Sequence, residues 1–285
     1  MPIVNNDWLT SIRFFFPHTS SPYVGADTVE GVELDLKIKG CRALVTGASA
    51  GIGAGIAEVL AGEGVHLVLA ARNMERLQRV ADVIASRCHA APYLLRADLA
   101  NEQETARLAG TACEVLGGID ILVNCAGGSR PFRGDASENE WAEAITLNFT
   151  AMRRLALAVL PGMVERRYGR IINLSGSMEP RGVNGANVAK GALHLWSKGL
   201  SCEVARDGVT INCVAPGRIE SDQVRNSLHP TQESRDAFIR QHIPAGKFGD
   251  PQDVGHLVAF LCSPLACYIT GAVIPVDGGM HYFAH

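Results

Sequence analysis

Short apolar runs alternate along the chain with longer segments in which apolar residues recur at helical spacing. The runs predict strands at residues 43–45, 65–71, 93–97, 119–124, 170–174, 210–215 and 272–276. The helical spacing predicts a helix that starts at Ile52, and others at 74–87, at 102–116, around 141–160 and near 189–206. Strands that alternate with helices of this length indicate right-handed crossovers between parallel strands. The predicted fold class is therefore α/β, a doubly wound parallel sheet with helices on both faces.

The first 36 residues do not follow this pattern. Trp8 and residues 14–16 are aromatic, and residues 17–28 are rich in Ser, Pro and Gly. They lack the cationic start and the apolar core of about 7–15 residues that a secretory signal needs. We therefore expect an N-terminal extension at 1–36, either disordered, loosely docked or the product of a start codon assigned too early. A single domain is expected at 37–285.

The composition narrows the functional class. The chain has 285 residues, of which 47% are hydrophobic and 19% charged, enough for one large core. Its net charge of −3 gives no basis for nucleic-acid binding, and no apolar stretch reaches the roughly 18 residues of a membrane span. Eight cysteines occur without a Cys-x-x-Cys pair or a zinc-spaced Cys/His cluster. We expect buried free thiols, no metal site and a reducing, cytoplasmic location.

A glycine-rich turn joins the first predicted strand to the first helix. Gly47, Gly51 and Gly53 have no Cβ, so the backbone can turn tightly and a pyrophosphate can approach the N–H groups of the helix start. Their spacing is Gly-x3-Gly-x-Gly and not the Gly-x-Gly-x-x-Gly of the common dinucleotide fingerprint. The alternative is a plain strand-to-helix turn. Ligands of such sheets bind beyond the carboxyl ends of the strands, which is where this turn falls.

Further segments, in order and spacing, carry a resemblance. They are Thr46-Gly47, Gly51-Ile52-Gly53, Asp98-Leu99, Asn124-Cys125-Ala126-Gly127, Asn148, Lys190, Pro216-Gly217, Ile269-Thr270-Gly271 and Val276-Asp277-Gly278-Gly279. With them, residues 40–279 resemble the short-chain dehydrogenase/reductase family, close in pattern to the 3-oxoacyl-carrier-protein reductases. The resemblance implies a Rossmann-type fold, a nicotinamide cofactor, hydride transfer and a homodimer or homotetramer.

The same resemblance implies a cofactor-binding set. Asp98 would contact the adenine, Pro216-Gly217 would flank the nicotinamide, and Ser221 stands where the family usually has threonine. For Asp98 the alternative is a helix N-cap, and both roles are compatible. The complete set is Gly47, Ser49, Gly51, Ile52, Gly53, Arg72, Asp98, Leu99, Asn124, Ala126, Gly127, Lys190, Pro216, Gly217 and Ser221.

The choice of cofactor can be argued from charge. Sites that select NAD place a carboxylate after the second strand to bind the ribose 2′-hydroxyl. This chain has Arg72 there, and a guanidinium suits a 2′-phosphate. We therefore expect NADP(H), with NAD(H) as the alternative if Arg72 is only a solvated loop cation. Ala50 weakens the case slightly, because many NADP-dependent relatives carry a second basic residue there.

The resemblance fails at the proton donor. The family's active helix carries Tyr-x3-Lys, but four residues before Lys190 stands Ala186, and the expected serine falls on Gly176. Losing a positioned general acid typically costs about 10²–10⁴ in rate. Candidates for a substitute are Lys190 and Asn148 holding a water, with Ser175 or Ser177 binding the carbonyl oxygen. His194, one helical turn beyond Lys190, is the other candidate.

Two wider expectations remain. Four arginines are predicted on loops at the ligand-binding end: Arg130, Arg133, Arg181 and Arg218. They suggest an anionic or carrier-bound substrate; the alternative is four ordinary surface cations.

The leading function is an NADP(H)-dependent oxidoreductase acting on a small-molecule or carrier-bound carbonyl or hydroxyl group. The alternative is a cofactor-binding sensor or scaffold without catalysis. The apolar residues 256–279 and helix 189–205 suit an oligomer interface, although core packing alone could explain them.

Overall fold

The structure is a computed structural model, and it describes residues 34–88, 91–128, 136–176, 179 and 182–282. The described helices and strands all belong to one compact unit, Leu36–His285. The expectations for the extension therefore lie almost wholly outside the described residues, as do those for Arg130, Arg133, Ser177 and Arg181.

The strands of the described residues form one parallel sheet in the order β3-β2-β1-β4-β5-β6-β7. Their bounds are β1 Arg42–Thr46, β2 His66–Ala71, β3 Tyr93–Arg96, β4 Ile121–Asn124, β5 Gly169–Leu174, β6 Val209–Pro216 and β7 Val273–Val276. In the middle of the sheet, Leu44 of β1 lies opposite Val68 of β2 and Leu122 of β4. The central strands are almost continuously apolar because both of their faces are covered. The predicted doubly wound α/β class is confirmed.

Helices cover the two faces. Their bounds are α1 Gly51–Gly62, α2 Met74–Cys88, α3 Glu102–Leu116, α4 Glu138–Ile145, α5 Ala151–Glu165, α6 Gly185–Val204, α7 Gln232–His242 and α8 Pro251–Cys262. Buried residues of α1, α2 and α8 form one core with the sheet, including Ile56, Leu77 and Val258. Buried residues of α3 and α5, such as Leu108 and Leu155, form the core on the opposite face.

The predicted helix around residues 141–160 is in fact two helices. A π turn at Thr146–Thr150 separates α4 from α5, and the N–H of Ala151 bonds to the carbonyl of Thr146, five residues back. The side-chain amide of Asn148 donates to the Ala144 carbonyl at 2.9 Å, within the same segment. Apolar periodicity does not reveal such a turn, because one inserted residue hardly changes the pattern, yet π turns concentrate at functional sites.

Two helices were missed. Polar α7 has no strong apolar stripe, but α8 carried a readable signal. Pro251 stands at its first position and Asp250 at its N-cap, whose N–H donates to the Asp253 carboxylate at 2.9 Å. A proline at the first position and a carboxylate three residues after an acidic N-cap are start signals of a helix.

The expectation of buried cysteines is corrected. All eight cysteines are free, but only Cys213 and Cys262 are buried, and Cys202 and Cys267 are exposed. The other four are partly buried. Cys202 lies on the outer side of α6, and Cys267 follows the 3₁₀ turn Pro264–Ala266. Within the described ranges, no helix is long and apolar enough to cross a bilayer, and His, Cys, Asp and Glu side chains form no cluster able to hold a metal ion.

Candidate functional site

A cleft of about 680 Å³ opens beyond the carboxyl ends of β1, β2 and β4. Twelve residues of the predicted cofactor-binding set line it: Gly47, Ser49, Gly51, Ile52, Gly53, Arg72, Asp98, Leu99, Ala126, Gly127, Gly217 and Ser221. The loops after separate strands supply them, as the topology of a doubly wound sheet requires. Sequence reasoning therefore placed most of this set in one cavity.

The floor of the cleft is formed by two closely packed loops, one with Gly47 and Gly53 and the other with Cys125 and Ala126. We call it the backbone cradle. Gly47 has φ +67°, and a Cβ there would lie 2.8 Å from the Cα of Ala126. A Cβ on Gly53 would lie 2.3 Å from the Gly47 carbonyl oxygen. Thr46 joins the same two loops, because its hydroxyl accepts the N–H groups of Cys125 and Ala126 at 3.1 and 3.2 Å. Because of the close contacts that a Cβ would make, only glycine fits at positions 47 and 53.

The first turn of α1 faces this cradle without a side-chain cap. Ala50 is its N-cap and provides no side-chain acceptor. At α3, by contrast, the Asn101 side chain accepts the N–H of Glu104 at 3.0 Å. An uncapped first turn leaves N–H groups and the positive end of the helix dipole for an anion. The cradle and the helix start together fit a pyrophosphate.

Asp98 lies at the other side of the cleft, and the structure corrects its alternative interpretation. The N-cap of α3 is Asn101 and not Asp98. The carboxylate of Asp98 accepts the N–H of Ala100 at 3.1 Å, while its own N–H donates to the Glu104 carboxylate at 2.8 Å. Because the first turn of α3 already has its cap, the second oxygen of Asp98 remains for the cleft.

Arg72 has a neighbour that the sequence argument missed. Arg76, in the first turn of α2, also lines the cleft. The side chain of Asn73 accepts the N–H of Arg76 at 2.9 Å, so Asn73 acts as the cap and brings Arg76 to the same end of the helix as Arg72. The available signal was a cation three residues after a capping asparagine. The structure thus brings two guanidinium groups to one wall of the cleft.

Asn124, Lys190 and Pro216 belong to the predicted set but are not among the residues that line the cleft. Asn124 is fully buried, and its amide donates to Asn173 at 2.9 Å and to the Met152 carbonyl at 3.2 Å. Pro216 ends β6 opposite Val276. Asn124 therefore ties β4 to its neighbours behind the cleft, and Pro216 continues the sheet.

Lys190 and Asn148 approach each other beside Gly127. A Cβ on Gly127 would lie 2.9 Å from the Asn148 Oδ1 and 3.5 Å from the Lys190 Nζ. Lys190 is buried, with only 8% of its surface exposed, and its Nζ donates to the Leu174 carbonyl at 2.5 Å. Burial lowers the pKa of Lys190 to about 8. This lysine therefore exchanges a proton far closer to neutral pH than an exposed one.

The remaining hydrogen-bonding capacity of these two groups is limited. Asn148 donates to the carbonyls of Ala144 and Gly128, and its Oδ1 accepts the N–H of Gly128 at 3.1 Å. One Oδ1 lone pair is then left. Protonated Lys190 keeps one N–H beyond its bonds to the Leu174 carbonyl and, at 3.7 Å, to the Met152 sulfur. A water between them would have an acceptor on one side and a donor on the other.

Comparisons with known proteins agree with this architecture. The profile of the family described as enoyl-(acyl carrier protein) reductase matches residues 47–281. The 3-oxoacyl-acyl-carrier-protein reductase FabG of Vibrio cholerae is 38% identical over 250 residues, which cover 86% of this chain and 99% of that protein. The chain belongs to the short-chain dehydrogenase/reductase family. Its homologues are oxidoreductases, including 3-oxoacyl-acyl-carrier-protein reductases.

Two solved structures of the family differ in their cofactor. The L-sorbose reductase of Gluconobacter frateurii, complexed with NADPH and L-sorbose, matches with a TM-score of 0.83 and 31% identity, covering 88% of this chain and 100% of that one. A 7α-hydroxysteroid dehydrogenase complexed with NADH and a bile acid matches with a TM-score of 0.81 and 30% identity, covering 88% and 98%. Family membership alone therefore does not choose between the two cofactors.

The start of α6 holds Ala186, the position that the family resemblance assigns to a proton donor. Ala186 is buried, and its N–H donates to the side chain of the N-cap residue Asn184 at 2.9 Å. Directly after β5, the Ser175 hydroxyl donates to the Val214 carbonyl of β6 at 3.2 Å and so points toward the sheet. A Cβ on Gly176 would meet none of the described residues within 4 Å. Neither Ala186 nor Gly176 has a side chain that can donate a proton.

His194 and Arg218, the other two candidates, lie away from the cleft lining. His194 is half-buried with an unpartnered Nε2 among the described residues, and burial followed by the charge of Lys190 lowers its pKa. The Arg218 guanidinium stacks 4.7 Å from the centre of the Phe238 ring, and burial lowers its pKa. Arg218 is thus turned into a small core of Val224, Ile243 and Phe248 and does not join Arg72.

Proposed function

We propose that this chain is an NADP(H)-dependent oxidoreductase that interconverts a carbonyl and a hydroxyl group of a small-molecule or carrier-bound substrate. The observation that carries the proposal is the convergence of Lys190 and Asn148 beside Gly127, at the edge of a cleft with a glycine cradle. Arg72 and Arg76 on the cleft wall support the phosphorylated cofactor, and the acyl-carrier-protein relatives support a carrier-bound substrate.

The residues present fit a dinucleotide. Gly47 and Gly53 leave room where a Cβ would collide, the first turn of α1 is uncapped, and Asp98 keeps a free carboxylate oxygen. When bound, NADP(H) supplies or accepts a hydride at the nicotinamide C4. The protein's part is to hold the cofactor in the cleft and to move one proton.

Lys190 is the group that we assign to the proton. Four residues earlier Ala186 takes the place of the family's tyrosine, and a methyl group transfers no proton. Protonated Lys190 can donate to a water held against the Asn148 Oδ1, and that water can protonate the alkoxide during reduction. Ser175 and Ser177 remain candidates for the substrate oxygen; for Ser175 this requires its hydroxyl to leave the Val214 carbonyl.

Replacement of Lys190 tests this assignment. NADPH and NADH are titrated first, and turnover is then screened on small and carrier-bound carbonyl compounds. Lys190→Ala should lower turnover by about 10²–10⁴, because it removes both the proton source and a ribose contact implied by the family resemblance. Lys198→Ala, an exposed lysine two turns further along α6, is the matched control and should leave turnover unchanged. Equal turnover in the two variants would remove Lys190 from the mechanism.

A second candidate function is a cofactor-binding sensor or scaffold without catalysis. The observation that favours it is the pair Ala186 and Gly176, which leaves the start of α6 and the end of β5 without reactive side chains. Tight NADPH binding without turnover on any carbonyl compound would favour this candidate. The first candidate instead requires slow but measurable oxidation of NADPH.

Assembly and location complete the proposal. Exposed apolar side chains on α6 and near the carboxyl terminus, including Leu195 at 79% and Tyr268 at 99% exposure, support a homodimer or homotetramer. The eight free thiols support a reducing compartment such as the cytoplasm.

A further inference from the structure

One ion pair crosses the mouth of the cleft. A guanidinium nitrogen of Arg76, in the first turn of α2, lies 3.6 Å from a carboxylate oxygen of Asp222. Asp222 lies beyond β6, on the opposite wall, and both residues line the cleft. The pair therefore links the two walls close to Arg72.

The ion pair of Arg76 and Asp222 can open at little cost in free energy. Its side chains are 51% and 53% exposed, so neither charge loses much solvation when the contact opens. Exposed ion pairs contribute little to stability, because solvent screens both charges. A stronger anion that reaches Arg76 can thus displace Asp222.

Asp222 has a second cation in its own segment. Its other carboxylate oxygen lies 3.6 Å from the guanidinium of Arg225. Losing Arg76 therefore does not leave Asp222 without a partner. Arg76, meanwhile, would gain a phosphate that carries close to two negative charges and three acceptor oxygens.

We propose that Arg76 binds the cofactor's 2′-phosphate together with Arg72, and that Asp222 competes with this phosphate for Arg76. The inference rests on the proposed use of NADP(H) and assigns its selectivity to an exchange of partners. With NAD(H), which has no 2′-phosphate, the pair of Arg76 and Asp222 persists. The 2′-phosphate's net contribution to the free energy of NADP(H) binding is then its interaction with Arg76 minus the interaction of the ion pair that it replaces.

The experiment measures binding and not turnover. NADP⁺, NAD⁺ and adenosine 2′,5′-bisphosphate are titrated calorimetrically into the wild type, Arg76→Gln, Asp222→Asn and Glu75→Gln at about 0.15 M salt. Arg76→Gln should weaken NADP⁺ binding about tenfold and leave NAD⁺ unchanged. Asp222→Asn should strengthen NADP⁺ binding about threefold, again without effect on NAD⁺.

Glu75→Gln is the matched control. It removes one carboxylate from the residue next to Arg76, but Glu75 pairs with Arg79 and does not line the cleft. If Glu75→Gln strengthens NADP⁺ binding as much as Asp222→Asn does, the effect is general electrostatics and the proposed competition is wrong. If Arg76→Gln leaves the ratio of NADP⁺ to NAD⁺ affinity unchanged, the assignment of Arg76 is wrong.

Dinucleotide binding by the wild type distinguishes a failure of this inference from a failure of the proposed use of NADP(H). A wild type that binds neither dinucleotide, or binds both equally, contradicts the NADP(H) proposal and the exchange with it. A wild type that prefers NADP⁺ while Asp222→Asn has no effect contradicts the exchange alone. A second readout is the ³¹P resonance of bound adenosine 2′,5′-bisphosphate, whose 2′-phosphate should titrate at lower pH in the wild type than in Arg76→Gln.

Discussion

The two ends of the cleft depend on different chemical groups, on the backbone at one end and on side chains at the other. At the phosphate end, Gly47, Gly53 and the uncapped start of α1 present backbone, and their fit follows from the lack of side chains. At the end that we propose for proton transfer, the chemistry would depend on side chains, and neither Ala186 nor Gly176 can donate a proton. A backbone cradle survives most substitutions around it, whereas a proton donor is lost with a single one. Cofactor binding and catalysis are therefore separable properties of this fold.

The largest effect should come from refilling the proton-transfer end. Ala186→Tyr combined with Gly176→Ser restores a phenol four residues before Lys190 and a hydroxyl where a Cβ meets none of the described residues. We expect reduction of a carbonyl substrate to rise by about 10²–10⁴, the usual contribution of a positioned acid. Steady-state rates with NADPH measure it.

Gly176→Ser alone is the control for this double variant, because it adds a hydroxyl without an acidic proton. A double variant that folds, binds NADPH and remains as slow as the control would show that the remaining site is not arranged for hydride transfer. That outcome would favour the sensor or scaffold.

The second effect acts on the phosphate end. Gly47→Ala places a methyl group 2.8 Å from the Ala126 backbone at φ +67°, a conformation that disfavours side chains. We expect unfolding free energy to fall by about 1–3 kcal/mol and NADPH affinity to fall at least about tenfold. Gly176→Ala, whose added methyl group would meet none of the described residues within 4 Å, should change neither. Chemical denaturation and fluorescence titration decide, and equal behaviour of the two variants would contradict the close approach.

The sequence predicted the phosphate end far better than the other. Glycines at Gly47, Gly51 and Gly53 report a backbone requirement directly, and twelve predicted residues line one cavity. Arg76 was overlooked although the sequence carried a signal for it, a cation three residues after Asn73, which caps α2. Asn124 and Pro216 do not line the cavity, because sequence neighbours of lining residues alternate between the cleft and the sheet.

The proton-transfer end depends on contacts far apart in sequence. Lys190 meets Asn148 only because a π turn at Thr146–Thr150 directs the asparagine inward, and no periodicity predicts that turn. The orientation of Ser175 toward Val214 follows from pairing of β5 with β6. Such details come from tertiary structure, which the chain's local pattern does not contain.

The last effect is confined to a window of pH, and it is a pH dependence of stability from Lys190. Its pKa is about 8 in the folded protein against 10.5 in the unfolded chain, so the unfolded state binds more protons between these values. Stability from this group therefore rises with pH from 8 to 10.5 and is reduced at all pH values below. We expect the wild type to gain up to about 3 kcal/mol relative to Lys190→Met across that window.

The quantity to measure is the difference in unfolding free energy between the wild type and Lys190→Met, obtained by denaturant unfolding at several pH values. Burial raises the pKa of Cys125 to about 12, and a thiol of this kind lowers stability as pH rises above its pKa in the unfolded chain. This loss occurs in both proteins, but it is larger in Lys190→Met, because the charge of Lys190 lowers the pKa of Cys125 in the wild type. Losing the bond from Lys190 to the Leu174 carbonyl adds an offset that does not vary with pH. Lys198→Met, on an exposed turn of the same helix, should run parallel to the wild type. If Lys190→Met also runs parallel, its ammonium is solvated in the folded protein, and the lysine at the proton-transfer end is no more perturbed than one on the surface.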